Sequence, residues 1–310
     1  MLNKGSDKAV LFMVFNRPNE TRLVMEAIRQ AKPAKLYVAS DGARSDEEKA
    51  VVNEVREIAA NVDWPCELRT LFRPTNLGCR EAVSGAITWF FEHEPEGIIL
   101  EDDCLPSDAF FAYCSAMLDT YRSNSTVMSI SGSYFGQDGA ALGHYFSSYA
   151  LMWGWATWRD RWAKYEVAPK RYRLSLIKRW WRRPICCVYW TQILARTISG
   201  KVNTWDHQWI LTVWRGGGIV CRPTRNLVSN LGFGPSATHT LNDQEPLAKL
   251  PLFSTSESFA SHIEDRQFIL SAEQFDEKVW AKVSWRSVLL IAFPAISAFK
   301  KKIENVLGFS

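Results

Sequence analysis

Apolar runs and helix-like stretches alternate along the first 110 or so residues. Each apolar run is closed by turn residues or acids, which is typical of a buried strand. The predicted strands are Ala9 to Pro18, Lys35 to Arg44, the run from Cys66 to Gly78, and Ile98 to Leu100. Between them, apolar residues recur with helical spacing, which predicts helices over 19–31, 45–62 and 79–94.

The order of these elements predicts a parallel sheet with helices on both faces. Asn19 is a candidate N-cap of the first helix, and Ser45 with Glu48 is a candidate capping box of the second. In such sheets, ligands bind beyond the carboxyl ends of the strands. All four strands end in polar residues, so we expect those residues to converge on one edge of the sheet.

The fourth strand runs directly into Glu101, Asp102 and Asp103. Three adjacent carboxylates at the end of a core strand repel each other and resist desolvation. A hard divalent cation such as Mg²⁺ or Mn²⁺ prefers oxygen ligands and bridges to substrate phosphates, so it would relieve that repulsion. The alternative is an interaction between the acids and the positive end of the helix that begins near Ser107.

Composition narrows the class of protein. Hydrophobic residues make up 47% and charged residues 23%, as in a globular protein, and the net charge of +4 is too small to indicate a nucleic-acid partner. The chain lacks C-x-x-C pairs, the G-x-G-x-x-G turn and the phosphate-binding P-loop, which disfavours a zinc module, a dinucleotide dehydrogenase and a P-loop kinase. The seven scattered cysteines and the absence of a signal-peptide pattern indicate a reducing, cytoplasmic location.

Six motifs, in the same order, resemble those of the alpha-mannoside β-1,2-N-acetylglucosaminyltransferase family and its bacterial relatives. They are FNRP, SDG, Glu-Asp-Asp followed by Pro-Ser-Asp-Ala-Phe-Phe, LMWGWATW, TWDHQW, and RPTRNLVSNLGFGPSATHT. The resemblance covers roughly residues 9 to 240 and implies the α/β GT-A fold. That fold would have a mixed central sheet flanked by helices, an aromatic acceptor-side half and, in this chain, a C-terminal helical tail.

The resemblance also implies a reaction. A metal-dependent, inverting glycosyltransferase would move a sugar from a nucleotide-diphosphate donor, with a UDP-sugar favoured, to a hydroxyl of a glycan or lipid-linked acceptor. Asp103 would be the ligand of Mn²⁺ or Mg²⁺, and Glu101 and Asp102 would contact the ribose or the donor sugar. Arg17 would meet the nucleotide, and Asp41 would lie near its base.

Further candidates lie outside the first four strands or at their loops. By resemblance, Asp206 would be the general base; the alternative is an ordinary acid at a helix N-terminus. Arg80 flanks the Asn-Leu-Gly turn, where an arginine can bind phosphate, although a plain surface role is also open. Trp155 is a candidate for sugar packing, and His239 is a candidate metal or diphosphate ligand on a glycine-rich loop.

Three parts are predicted: a nucleotide-sugar-binding half over 1–125, an acceptor and catalytic half over 126–245, and a tail over 246–310 that is a candidate for membrane association. The segment from Lys164 to Thr204 and the tail have no counterpart in the family, so acceptor identity is not carried over. Two other classes stay open: a nucleotidyltransferase, although FNRPNETR lacks the expected glycine and lysine, and a non-catalytic carbohydrate-binding protein.

Two segments suggest contact with an anionic membrane surface. KRYRLSLIKRWWRR, from Lys170 to Arg183, holds seven cations and no acid. SVLLIAFPAISAF near the C-terminus is too short to span a bilayer and is followed by three lysines. The alternatives are a core helix and a solvated basic face, so peripheral attachment at the inner face of a membrane is a hypothesis.

Overall fold

An eight-stranded mixed sheet flanked by helices forms the centre of the computed structural model, which describes residues 7–136, 141–169, 172–233, 247, 250–255 and 257–292. The strands are β1 Val10–Val14, β2 Lys35–Ser40, β3 Glu67–Phe72, β4 Glu96–Glu101, β5 Cys104–Pro106, β6 Val127–Ser131, β7 His144–Ser147, β8 Trp155–Trp158, β9 Ile219–Pro223 and β10 Val228–Asn230. The helices are α1 Pro18–Ala31, α2 Lys49–Ala60, α3 Cys79–His93, α4 Asp108–Tyr121, α5 Arg159–Trp162, α6 Tyr172–Trp180, α7 Pro184–Ile198, α8 Asp206–Arg215, α9 Arg266–Phe275, a π-helix Asp276–Trp280, and α10 Trp285–Ala292.

The strand order of the large sheet is β3-β2-β1-β4-β8-β6-β9-β7. The first four strands of this order are parallel, as the sequence predicted. Strand β8 pairs antiparallel with both β4 and β6, and β7 pairs antiparallel with β9. The expected α/β fold with a mixed central sheet and flanking helices is therefore confirmed.

Two hydrophobic cores lie on opposite faces of the sheet. Alternate residues of β1 enter different cores: Leu11 and Met13 pack with α3 and α8, whereas Val10 and Phe12 pack with α1, α2 and α4. Because side chains of a strand alternate between faces, a strand covered on both sides is apolar throughout. This explains the unbroken apolar runs of the sequence.

Both predicted N-caps are wrong. Helix α1 begins at Pro18 with Arg17 as its N-cap residue, because proline suits the first helical position and needs no N–H partner there. Helix α2 begins only at Lys49, and Glu48 instead binds the backbone and guanidinium of Arg44 and the amide of Asn16. The acid thus joins the ends of β1 and β2 rather than capping a helix.

The tryptophans of the second half are mostly core residues. Of the ten between positions 153 and 214, eight are buried. In the tail, residues 266–280 and 285–292 are helical, as predicted, and a buried ion pair between Arg222 on β9 and Asp276 fixes the tail to the sheet. In the described ranges, no helix is both long and apolar enough to cross a membrane.

Candidate active site

Arg17 is the positive charge that faces the acid cluster. Strands β1 and β4 run in parallel register, with Met13 opposite Glu101, so the residues after each strand meet at one sheet edge. One guanidinium nitrogen, Nη1 of Arg17, donates to Asp102 Oδ1 at 2.9 Å and to Asp103 Oδ2 at 2.8 Å. Asp102 Oδ2 also accepts the N–H of Phe15 at 3.0 Å. Asp102 therefore holds the ends of β1 and β4 together.

One arginine does not neutralise three carboxylates. Burial raises the pKa of Asp102 to about 7, and the charge of Asp103 adds to the effect while Arg17 opposes it. Burial, followed by the charges of Asp103 and Asp102, holds the pKa of Glu101 well above its usual range. Within the described residues, the Glu101 carboxylate takes part in no hydrogen bond or ion pair. The charged form of the cluster is therefore unfavourable by itself, and either a proton or a bound cation would offset its negative charge.

Glu101 and Asp103 have donor chemistry that suits a divalent cation. The described residues hold no group of three or more His, Cys, Asp or Glu side chains placed as a complete metal site. Mg²⁺, however, is usually bound through one or two carboxylates, with substrate phosphates and waters supplying the other ligands. The two acids fit that requirement. The second predicted ligand, His239, lies outside the described residues.

Strand β10 and the residues after it lie against the acid cluster. Strand β10 pairs with β5, and the N–H of Leu231 donates to the carbonyl oxygen of Asp103 at 2.7 Å. A Cβ added at Gly232 would lie 2.4 Å from Asp103 Oδ2. Only glycine lets the backbone pass this close to the carboxylate.

Two cavities of about 390 Å³ each meet at the acid cluster. The strand-end cavity lies beyond β1, β2 and β3 and is lined by residues that include Phe15, Asp41, Arg44, Arg73 and Asn76. The aromatic cavity is lined by residues that include Trp153, Trp205, Asp206, Trp280 and Lys282. Both cavities share Arg17, Cys79, Glu101 and Asp103. A ligand in each cavity would therefore meet the other at the carboxylates.

Asp41 shapes the strand-end cavity through backbone contacts. Its carboxylate accepts the N–H groups of Gly42, Leu77 and Gly78, each at 3.0 Å. A Cβ at Gly42 would lie 2.3 Å from the carbonyl carbon of Thr75, so the two loops touch there. Asp41 thus holds the turn after β3 beside the cavity, and its predicted contact with a nucleotide base stays a prediction.

Asp206 lies at the start of α8 and lines the aromatic cavity. Its Oδ1 accepts the N–H of His207 at 2.7 Å and the hydroxyl of Thr204. Among the described residues, Oδ2 accepts no hydrogen bond. One oxygen is thus fixed at the helix N-terminus, as the alternative interpretation expects. The other faces no donor among the described residues, and the general-base role of Asp206 stays a prediction.

Arg80 requires a correction, since it lines neither cavity. Its guanidinium donates to the backbone carbonyls of Thr197, Val202 and Thr204. The carbonyl of Thr197 lies in the last turn of α7, and those of Val202 and Thr204 lie in the loop between α7 and α8. Together they engage the guanidinium that was expected to bind phosphate. Arg80 positions the loop that carries Asp206 rather than touching a nucleotide.

Trp155 also requires a correction. It is 1% exposed and stacks on Trp205, with ring centroids 5.7 Å apart, while Trp162 and Trp209 pack nearby. Its ring has no face open to a sugar. Trp153, two residues earlier, lines the aromatic cavity instead, and its ring packs 4.9 Å from that of Phe135.

Several lining residues were not predicted from the sequence. Cys79 lines both cavities, and burial raises the pKa of its thiol to about 12, so the thiol is neutral. Trp280 and Lys282 come from the tail that was predicted to lie outside the catalytic half. No local pattern marks them, because their position depends on how the tail packs on the sheet.

Comparisons with known proteins give no family. No family model and no curated protein sequence matches this chain. Among solved structures, a UDP-glucose pyrophosphorylase complexed with UDP-glucose is similar at 11% identity and a TM-score of 0.36, over 70% of this chain and 89% of that one. The glycosyltransferase GlyE of Streptococcus pneumoniae TIGR4 is similar at 11% identity and a TM-score of 0.29, over 67% of this chain and 43% of GlyE.

This chain thus spans less than half the length of GlyE. At such low identity and TM-score, neither likeness carries an argument about this protein.

Proposed function

We propose that this protein is an inverting glycosyltransferase that uses a nucleotide-diphosphate sugar. One observation supports the proposal most: Glu101 and Asp103 lie where two separate cavities meet. In an inverting transfer, the acceptor hydroxyl attacks the anomeric carbon of the donor sugar on the face opposite the bond to the diphosphate, which breaks, and the departing diphosphate is held by charge. A junction of two cavities at a carboxylate cluster provides that arrangement.

The strand-end cavity is the proposed donor site. It lies at the carboxyl ends of parallel strands, where α/β sheets bind ligands. Its lining combines the cations Arg17, Arg44 and Arg73, which can pair with phosphate oxygens, with the apolar residues Met13 and Val83. A UDP-sugar is the donor that we would test first, and Asp41 would lie near its base.

The aromatic cavity is the proposed acceptor site, for a hydroxyl of a glycan or a lipid-linked sugar. Asp206 Oδ2 would take the proton of that hydroxyl as its oxygen attacks the anomeric carbon from the face opposite the diphosphate. A divalent cation bound by Glu101 and Asp103 would stabilise the departing diphosphate as a Lewis acid. All seven cysteines are unpaired, which agrees with the cytoplasmic location that we propose.

The first test is incubation of the protein with a panel of nucleotide sugars and Mn²⁺ or Mg²⁺. Release of nucleoside diphosphate, with transfer to an added glycan, would support the proposal. Formation of pyrophosphate from a nucleoside triphosphate and a sugar phosphate would instead indicate a nucleotidyltransferase. No turnover with any donor would contradict both activities and favour a binding protein.

Two variants assign roles within the site. We expect Asp206→Asn to slow transfer by about 10²-fold or more, the scale of a lost general base, with donor affinity unchanged. Asp103→Asn should abolish divalent-dependent turnover. Asp46→Asn, at an exposed carboxylate far along the chain from both, is the matched control and should retain full activity. Loss of donor affinity in Asp206→Asn, or near-normal divalent-dependent activity in Asp103→Asn, would refute the respective role.

A further inference from the structure

The exposed apolar side chains of this protein are concentrated in two short stretches. Ten large hydrophobic side chains are exposed in the described part of the chain, and six of them lie within 174–188 and 285–289. We call these six the tryptophan face: Leu174, Ile177, Trp181, Val188, Trp285 and Leu289. Trp181 is 69% exposed and Trp285 is 57% exposed, which is unusual for the largest apolar side chain.

The face belongs to one group of packed helices. Helix α7 contacts both α6 and α10. Leu174, Ile177 and Trp181 follow each other at spacings of three and four, so they share one side of α6 and its continuation. Leu176 and Trp180 are buried on the other side of that segment, and Val288 is buried in α10. The exposed residues therefore lie on the outer sides of helices that are anchored from within.

The segment that carries four of the six residues is rich in cations and holds no acid. Residues 172–188 hold five Arg or Lys residues and no Asp or Glu. Two of the five hold the segment to the body of the protein, since Arg183 pairs with Glu277 and Arg179 donates to Ser148 Oγ. The other three, Arg173, Lys178 and Arg182, form no ion pair within the described residues.

We propose that the tryptophan face docks on an anionic lipid bilayer. Indole rings sit at the boundary between headgroups and acyl chains, and arginine and lysine extend their charges to the headgroups from a buried stem. The guanidinium of Arg182 lies 5.1 Å from the ring centroid of Trp181, so an aromatic side chain and a cation are adjacent on this surface. Each cation near an anionic surface adds attraction that falls with salt.

A second copy of this chain fits the face less well. A two-fold symmetric contact brings each patch against the same patch of the partner. Here that would place Arg173, Lys178 and Arg182 against equal charges, which is unfavourable without acids to pair with them. An anionic bilayer is complementary to the same side chains.

Resting on the proposed function, docking would bring the acceptor site to a lipid-linked acceptor, because the tryptophan face lies next in the chain to segments that line that site. Helix α7 leads directly into the loop that carries Val202, Thr204 and Asp206 to the aromatic cavity. The π-helix and Lys282, which precede α10, supply Trp280 and a cation to the same cavity. The segments that line the proposed acceptor site thus directly adjoin α7 and α10 in the chain, so an acceptor held in the membrane by a lipid would reach it from that side.

The test is flotation of the full chain with phosphatidylcholine vesicles, with and without phosphatidylglycerol, at low and high salt. We expect binding to the anionic vesicles only, and release at high salt. Replacing Arg173, Lys178 and Arg182 together by Gln should weaken binding by about 10²-fold, from three cations at the surface. Trp181→Ala with Trp285→Ala should weaken it further. Arg22→Gln with Leu23→Ser, at an exposed arginine and leucine on α1, is the matched control and should bind as the unaltered protein does.

Three outcomes would overturn docking. The first is that the protein floats with neither kind of vesicle. The second is that it binds neutral and anionic vesicles equally. The third is that sedimentation velocity shows a dimer that the tryptophan variants dissociate. Nucleoside diphosphate release without vesicles is measured on the same samples. Retained release with lost flotation contradicts docking alone, whereas flotation without any turnover contradicts the proposed enzyme alone.

Discussion

The ion pair between Arg222 and Asp276 is the contact whose loss we expect to destabilise this protein most. The two side chains are 0% and 1% exposed, and the guanidinium also donates to the carbonyl oxygen of Ser133 at 3.3 Å. The pair joins strand β9 to the first residue of the π-helix. Replacing Arg222 by Met removes the charge, keeps much of the volume and leaves the Asp276 carboxylate buried without its cation.

The expected cost follows from burial. Removing one partner of a buried ion pair costs about 3–5 kcal/mol, because the remaining charge is neither solvated nor paired. That is a large part of the roughly 5–15 kcal/mol that stabilises a typical domain. At about 2 °C per kcal/mol for a chain of this size, the midpoint of thermal unfolding should fall by roughly 6–10 °C. Because Trp280 lies in the same π-helix, we also expect acceptor turnover to fall.

Urea unfolding of Arg222→Met, Asp276→Leu and the double variant measures the effect. Each single variant should lower the free energy of unfolding by the amount given above. The double variant should lose much less than the sum, since paired apolar replacements leave no charge in the core. A double variant as unstable as the sum, or single variants that lose under about 1 kcal/mol, would refute the argument.

The pH dependence of Arg222→Met provides a second measurement. Burial raises the pKa of Asp276, and the variant removes the guanidinium that opposes this effect. The folded state then retains a proton that the unfolded state releases, so the deficit is full above the folded pKa. It should shrink as the pH falls toward the unfolded value of about 3.9. A deficit that is constant from pH 8 to pH 5 would show that lost packing, not charge, is responsible.

Three further predictions concern the site. Gly232→Val should abolish turnover with the fold retained, because a side chain there meets the Asp103 carboxylate, the proposed metal ligand. Gly216→Ala, where an added Cβ has no atom within 4 Å, should retain full activity in the same assay. Arg80→Met should lower kcat and leave donor KM unchanged, and a rise in donor KM alone would restore its nucleotide-binding role. Trp155→Ala should cost about 3–5 kcal/mol in urea unfolding, the scale of a lost core tryptophan, whereas Trp153→Ala should raise acceptor KM with little loss of stability.

Much of the first half could be predicted because its elements are determined locally. Apolar runs and helical spacing predicted the four parallel strands and the helices between them, and the polar strand ends of Arg17, Asp41 and Asp103 do meet at one cavity. The rule that such ends share one sheet edge required no knowledge of side-chain contacts. The first N-cap prediction failed because Pro18 takes the first helical position. The second failed because Glu48 binds Arg44 and Asn16, and the partner 32 residues away is one that a local pattern does not reveal.

The rest depends on long-range packing. A motif match made Trp155 a sugar contact, but every residue of β8 is buried, so the ring of Trp155 lies in the core. Trp153 precedes the strand and reaches the cavity instead. Arg80 has the same chemistry as an arginine that binds phosphate, and only the nearby carbonyls of the α7–α8 loop distinguish the two roles. Trp280 lies 127 residues after Trp153 in the chain and meets the same cavity through the tail.

The first turn of α3 lies between the two cavities and contacts the segments that line both. Cys79 lines both of them. Arg80, the next residue, donates to the carbonyl of Thr197 at the end of α7 and to those of Val202 and Thr204 in the loop that leads to Asp206. If the proposed donor binds against Cys79, these hydrogen bonds would couple its binding to the position of the loop that carries Asp206. Asp206, the proposed base, would then be placed for reaction only after the donor is bound. Kinetically, this corresponds to a compulsory order of binding in which the donor binds before the acceptor. Before the donor binds, Asp206 would not be placed to activate water.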